Sequence, residues 1–239
     1  MKTGAVALID ALGFRGIWRR HNPDDVLAFL TNVKTWFEER IKTQFERQPW
    51  MQCSTTFLSD TIAVSMSLSE TVENREAMSV IYLGDVLSWV LDRVLRSEMP
   101  LAYRGAIAFG DFELSQHFLI GPAIDQAAAA YELAQSATIW VTPKANEQVA
   151  QWLRNQPRNT HLVKFDVPLK GGEVFSTYTI SPLEQAADVN DANYLLRNLV
   201  QTFSTETIDV AVKRQNTLRH LRACYSWRNF QLPAELLQI

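Results

Sequence analysis

The hydrophobic pattern of the first fifty residues predicts a buried strand followed by a long amphipathic helix. Residues 5–10 (AVALID) form a continuous apolar run that ends in an aspartate, which is typical of a buried strand. Asp24 and Asp25 then place negative charge where the positive end of a helix dipole favours it. The apolar residues that follow recur every three or four positions, which predicts one buried stripe formed by Val26, Leu30, Val33, Phe37, Ile41 and Phe45.

Further strand and helix patterns alternate as far as residue 180. Turn residues separate short runs rich in β-branched and aromatic side chains, and two longer stretches have helical periodicity. The predicted order β-α-β-β-α-β-β-α-β-α-β-β is that of an α+β fold in which helices cover a mostly antiparallel sheet. The predicted strands are 53–58, 61–66, 101–109, 112–118 and 138–142, with a last hairpin around Gly171 and Gly172, and the predicted helices are 76–96, 121–135 and one that begins at Pro143.

The pattern changes after Pro182. Residues 191–203 and 206–227 are expected to form two helices, and the second carries several basic side chains. We therefore expect a first unit over residues 1–182 and a C-terminal helical extension over residues 183–239.

Composition narrows the class of protein. The 239 residues carry 26 acidic and 23 basic side chains, a formal net charge of -3, which argues against nucleic-acid binding because phosphate-tracking surfaces need a basic surplus. No run reaches the roughly 18 apolar residues of a membrane span, and the N-terminal run lacks the pattern of a signal peptide. Cys53 and Cys224 have no metal-site or CxxC spacing, which favours reduced thiols. We expect a cytoplasmic protein without a membrane or nucleic-acid partner.

Two aspartates stand where acidic side chains are costly. Asp10 ends the first buried strand, and Asp60 lies in the turn of the predicted hairpin that follows. Two carboxylates that converge at one end of a sheet favour a hard divalent cation, which prefers oxygen ligands. The alternative is that both are ordinary turn or capping residues, since aspartate is common in both places. Spacing alone leaves both interpretations open.

Five segments, in chain order, extend this interpretation: residues 7–14 (ALIDALGF), 57–61 (FLSDT), 103–110 (YRGAIAFG), 121–129 (GPAIDQAAA) and 168–172 (PLKGG). Together they resemble the ordered motifs of the class III nucleotidyl cyclases, which include adenylate and guanylate cyclases. The resemblance implies a ferredoxin-like core, a nucleoside triphosphate substrate and a homodimer whose active sites are composite.

By position, the resemblance also assigns roles to single residues. Asp10 and Asp60 are the catalytic residues that hold two Mn²⁺ or Mg²⁺ ions, and Lys170 contacts the triphosphate. Backbone amides of Leu12, Gly13 and Phe14 cradle the phosphates, as successive amides can. Asp125 stands in place of the ribose-binding asparagine of the family.

Other departures from the family pattern point to a different base. Thr56 replaces the purine-selecting lysine, and Ala129 stands where the transition-state arginine belongs. With Phe57 and Arg104 in addition, the pattern resembles the pyrimidine cyclases of bacterial Pycsar antiphage systems, whose product is read by a separate effector protein. A donor-only arginine suits the two carbonyl acceptors of uracil, which favours UTP over CTP.

Several alternatives stay open from the sequence. Arg104 is also explained as a buried arginine paired with an acidic neighbour, Phe57 as sheet core, and Lys170 as a solvated side chain. The protein could make cyclic CMP, or be an adenylate or guanylate cyclase of unusual composition. Because Ala129 removes a charge that stabilises the transition state, it could also be a catalytically silent binding domain.

Overall fold

A computed structural model describes residues 1–14, 17–114, 118–154, 161–203 and 207–237. Eight strands and seven α-helices lie in these ranges, with one 3₁₀ turn at Ile17–Arg19. The strands are β1 (Lys2–Leu12), β2 (Met51–Leu58), β3 (Thr61–Leu68), β4 (Ala102–Leu114), β5 (Leu119–Ile120), β6 (Ile139–Val141), β7 (Leu162–Pro168) and β8 (Val174–Ile180). The helices are α1 (Pro23–Phe45), α2 (Arg75–Leu95), α3 (Pro122–Ala130), α4 (Pro143–Leu153), α5 (Val189–Gln201), α6 (Ile208–Trp227) and α7 (Ala234–Leu237).

The strands form one mixed sheet in the order β2-β3-β1-β4-β6-β8-β7, and β5 pairs with the end of β4. Only the β4–β6 pair is parallel among the described strands. Helices cover the sheet, so the predicted α+β class with a mostly antiparallel sheet is confirmed. No helix in the described part of the chain is both long and apolar enough to cross a membrane.

Two predicted boundaries are wrong. Gly110 and Asp111 do not form a turn, because β4 continues through them and pairs with β1 as far as Phe112. The threonine opposite Asp111 on β1, Thr3, donates a hydrogen bond to its carboxylate over 2.6 Å. The alanine-rich helix ends at Ala130 rather than at residue 135. Residues 115–117, the end of the second predicted strand, lie outside the described residues.

The two faces of the sheet bury different helices. Alternate residues of β1, among them Ile9, belong to the same core cluster as buried residues of α1, α2 and α4. The intervening residues Val6 and Leu8 pack with α3 on the opposite face. Since successive residues of a strand point to opposite faces, Asp10 lies on the α3 face.

The C-terminal helices share a core cluster with the sheet. Val163 of β7 and Ala102 of β4 are buried together with leucines of α5 and α6. A bidentate ion pair between Arg96 and Asp191, at 2.6 and 2.7 Å, joins the end of α2 to α5. The boundary at residue 182 remains a prediction.

A buried histidine of α6 makes stability depend on pH. His220 is fully buried and its Nε2 lies 2.8 Å from the hydroxyl of Thr179, while burial lowers its pKa from 6.5 to about 3. Below pH 6.5 the imidazole of His220 binds a proton in the unfolded chain, whereas in the folded chain it stays neutral until the pH approaches 3. The contribution of His220 is therefore fully present above pH 6.5 and is lost as the pH falls toward 3, by at most about 1.4 kcal/mol per pH unit.

Urea unfolding at pH 7 and pH 5 tests this expectation. The free energy of unfolding of the wild type should fall more steeply with decreasing pH than that of His220→Gln. The difference between the two slopes isolates His220 from other titrating groups, such as Asp85, whose pKa burial raises to about 6. Equal slopes would show that His220 is not held neutral by the fold.

Candidate active site

Backbone pairing brings Asp10 and Asp60 to the same corner of the sheet. Asp10 lies near the end of β1, directly opposite Thr61 of β3 and Arg104 of β4. Asp60 lies in the tight turn between β2 and β3, where Ser59 adopts a left-handed backbone conformation with φ of 60°. The backbone N–H of Ala11 donates to the carbonyl oxygen of Asp60 over 3.2 Å, which fixes the turn against β1.

The two carboxylates interact electrostatically. Burial raises the pKa of Asp10 above its ordinary value, and the charge of Asp60 raises it further. Arg104 and a 3.4 Å hydrogen bond from the Thr61 hydroxyl act in the opposite direction. The same two carboxylates add to burial in raising the pKa of the phenol of Tyr103. The corner is therefore an environment in which negative charge is concentrated and only partly compensated.

Arg104 is the main counter-ion within this corner. Its side chain is 10% exposed, and its Nη2 lies 3.6 Å from Oδ2 of Asp10 and 3.8 Å from Oε1 of Glu132. Its Nη1 donates to the backbone carbonyl of Glu132 over 3.2 Å. Its buried Nε has no hydrogen-bond partner among the described residues. The structure thus shows Arg104 as a buried arginine paired with acidic neighbours, one of the two alternatives from the sequence, and places it beside Asp10.

Glu132 is a member of the site that the sequence did not indicate. It follows α3, and its Oε2 lies 3.6 Å from the ammonium of Lys170, so one carboxylate contacts both cations of the site. Lys170 reaches Glu132 because the β7–β8 hairpin that carries it returns to the end of α3. The backbone N–H of Lys170 donates to the carbonyl of Leu133, and Ala134 forms a β-bridge with Leu169. The local pattern around residue 132 carries no signal of these contacts.

The predicted phosphate loop follows β1. Leu12 still pairs with Ala102, and Gly13 turns the chain with φ of 72°. The guanidinium of Arg20 donates to the carbonyl of Gly13 over 2.9 Å, and Phe14 is buried with its ring 5.9 Å from that of Trp18. The loop leaves the sheet directly beyond Asp10. Phosphate binding by its amides remains a prediction.

Two other predicted residues are not brought to the carboxylates. Phe57 packs on Phe37 at 6.3 Å between ring centroids, in the core cluster below the opposite face of the sheet. Thr56, its neighbour, therefore lies on the face that carries Asp10. Asp125 is exposed in the first turn of α3. Within this protomer, the structure gathers Asp10, Asp60, Arg104 and Lys170, and adds Glu132.

Solved structures similar to this chain include nucleotidyl cyclase domains. The catalytic core of a rhodopsin-guanylyl cyclase with converted specificity, in complex with ATPαS, gives a TM-score of 0.51 at 14% identity, covering 75% of this chain and 95% of its own. A non-canonical dimeric guanylyl cyclase domain of the RhoGC fusion protein from the aquatic fungus Blastocladiella emersonii gives 0.50 at 12% identity, with 75% and 93% covered.

The chain has the class III cyclase fold. The sequence matches no protein-family model and no curated protein. At this level of identity the likeness concerns the cyclase fold.

The donor atoms at the corner fit a divalent cation. Asp10 and Asp60 supply hard carboxylate oxygens, and a cation near both would offset the repulsion that helps raise the pKa of Asp10. Within the described ranges, no group of three or more His, Cys, Asp and Glu side chains is placed to hold a metal ion. A pair of carboxylates suits Mg²⁺ or Mn²⁺, which keep coordination positions for water and substrate phosphates.

Proposed function

We propose that the protein is a nucleotide cyclase that converts a nucleoside triphosphate to a cyclic mononucleotide and pyrophosphate. The observation that carries the proposal is the charge-coupled pair Asp10 and Asp60 at one corner of a cyclase-fold sheet. A half-buried carboxylate beside a second one lowers the stability of the fold unless a cation neutralises it, which favours a role in binding metal ions. The fold is that of known cyclase domains, and the two carboxylates are the groups able to hold the ions.

Asp10 and Asp60 would hold two Mg²⁺ or Mn²⁺ ions, which supply activation of the ribose 3′-hydroxyl and neutralisation of phosphate charge. The chain's own groups then position the substrate. Lys170 binds a β- or γ-phosphate as a point charge, and the turn at Leu12, Gly13 and Phe14 presents backbone amides. The 3′-hydroxyl gives its proton to solvent, and its oxygen forms a bond to the α-phosphorus as the bond from that phosphorus to the bridging oxygen breaks, so pyrophosphate leaves.

We further propose a pyrimidine substrate, UTP in preference to CTP. Support comes from Arg104, which presents only donors, and from Thr56, which replaces a lysine expected to select purines. Phe57 faces the core of its own protomer, so in this proposal it acts on the base through the shape of the edge strand β2. Cyclic UMP would then be a second messenger in antiphage defence, read by a separate effector protein in the cytoplasm.

The active form in this proposal is a homodimer with composite sites. One solved neighbour is described as dimeric and another, from the same fungal protein, as monomeric. Asp125 and Ala129 are exposed on α3, whereas Asp10 contacts Thr61 and Arg104 within the protomer. Exposed residues of α3 are available to complete a second protomer's site.

Incubation of the purified protein with ATP, GTP, CTP and UTP in the presence of Mn²⁺, followed by mass spectrometry, tests the proposed function. We expect cyclic UMP as the main product. Cyclic AMP or cyclic GMP alone would retain the cyclase and reject the pyrimidine assignment. Binding of a nucleotide without any cyclic product would favour the second candidate, a catalytically silent binding domain. Ala129, which stands where the family has its transition-state arginine, is the observation that favours this candidate.

A further inference from the structure

We propose that Glu132 is a positioning residue whose carboxylate occupies Lys170 until a phosphate of the substrate displaces it. The inference rests on the proposed function, since it concerns the same site. One carboxylate reaches both cations, with its Oε2 3.6 Å from Lys170 Nζ and its Oε1 3.8 Å from Arg104 Nη2. An anionic group therefore fits beside Lys170, and Glu132 fills that place in the protein alone.

The contact between Glu132 and Lys170 is easily exchanged. The Glu132 side chain is 49% exposed and the Lys170 side chain 45% exposed, and their 3.6 Å ion pair is longer than a charge-assisted hydrogen bond. The other carboxylate oxygen, Oε1, accepts a hydrogen bond from the Tyr131 hydroxyl over 3.1 Å, a contact that does not involve Lys170. Exposed ion pairs contribute little to stability. A phosphate group with more negative charge can therefore replace the carboxylate at small cost.

The surrounding backbone holds the three residues in place without this carboxylate. Arg104 is anchored by the main-chain carbonyl of Glu132, which a side-chain substitution leaves intact. Lys170 is anchored by its own N–H, which donates to the carbonyl of Leu133 over 2.8 Å. Removing the charge of Glu132 should thus free Lys170, while Arg104 keeps its contact with Asp10.

The charge balance makes the direction of the effect clear. Glu132 lies within 4 Å of Lys170, and both Asp10 and Glu132 lie within that distance of Arg104. With Glu132 neutral, its carboxylate no longer offsets the charge of Lys170, and repulsion of an incoming phosphate falls. Glu132 then limits the affinity for phosphate groups, which keeps pyrophosphate from being retained as product.

Binding of inorganic pyrophosphate tests the inference without relying on turnover. Isothermal titration calorimetry is carried out on the full chain in the presence of a chelator. The chelator removes metal ions, so pyrophosphate can bind only through the chain's own cations. Glu132→Gln should lower the Kd for pyrophosphate about three- to tenfold relative to the wild type. Glu147→Gln, an equal change of charge at an exposed position on α4, should leave the Kd unchanged.

A second substitution separates displacement from a general change of charge. Adding Lys170→Met to Glu132→Gln should abolish the gain, because the freed ammonium is gone. A Kd for Glu132→Gln that is unchanged or raised, or a gain that survives the loss of Lys170, would overturn the inference. Cyclisation of UTP by the wild type alongside such a result would leave the proposed function standing, whereas a lowered Kd without any cyclic product from the wild type would reject the proposed function alone.

Discussion

Replacing Asp60 with alanine is expected to lower the rate of cyclic nucleotide formation by at least about a thousand-fold, because it removes a carboxylate that would hold the metal ions, whose charge stabilisation contributes several kcal/mol. Asp60 lies in a turn, partly exposed, and its backbone carbonyl makes the contact to Ala11. The substitution should therefore leave the fold intact. Initial rates of cyclic product formation from UTP with Mn²⁺ measure the effect.

The control for this experiment is Asp166→Ala, which removes an exposed carboxylate from β7. Its rate should equal that of the wild type, and thermal unfolding midpoints of all three proteins should agree. Undiminished product formation by the Asp60 variant would reject the assignment of the metal site. A large fall in its unfolding midpoint would instead show that the turn needs the carboxylate, and Asp60→Asn would then replace it as the test.

Substitution of Arg104 should change the choice of base. If its guanidinium meets the carbonyl oxygens of uracil, Arg104→Ala should reduce the ratio of kcat/KM for UTP to that for ATP by about ten- to a hundredfold, the range for a bidentate contact to a base. The ratio is the informative quantity, because Arg104 is also the counter-ion of Asp10 and its loss should lower the rates with every nucleotide.

Arg104→Lys separates these two contributions. Lysine keeps a positive charge beside Asp10 but lacks the planar pair of donors. We expect rates with ATP closer to those of the wild type than in the alanine variant, and a UTP/ATP ratio that is lost equally in both. A ratio that neither substitution changes would remove Arg104 from base recognition and leave it as the counter-ion of the carboxylates.

The elements that could be predicted from the sequence are those governed by local periodicity. The apolar stripe of α1 and the long helical periodicity of α2 predict the bounds of both helices to within a residue or two of those observed. The turn predicted at Gly110 and Asp111 is wrong because this pair suits a turn as well as a long strand, and the length of the distant partner β1 decides between them. The early end of α3 depends in the same way on the bridge from Ala134 to Leu169.

The site was predictable only in part, for a related reason. Asp10 at the end of an apolar run and Asp60 in a hairpin turn are visible locally, and antiparallel pairing of their strands brings them together. Alternation places Thr56 and Phe57 on opposite faces, but the chain alone does not say which face carries the site. Glu132 becomes part of the site only because the hairpin that carries Lys170 returns to it.

The most direct test of the cyclase proposal is ³¹P NMR of the wild type with UTP and Mg²⁺, quenched with a chelator at successive times, with ATP, GTP and CTP in parallel reactions. The proposal predicts that a cyclic phosphodiester signal and a pyrophosphate signal rise together in equal amounts while UTP declines. Formation of UDP and phosphate, or of UMP and pyrophosphate without the cyclic product, would show that water is the nucleophile. That result, or unchanged spectra with all four nucleoside triphosphates, would contradict the account.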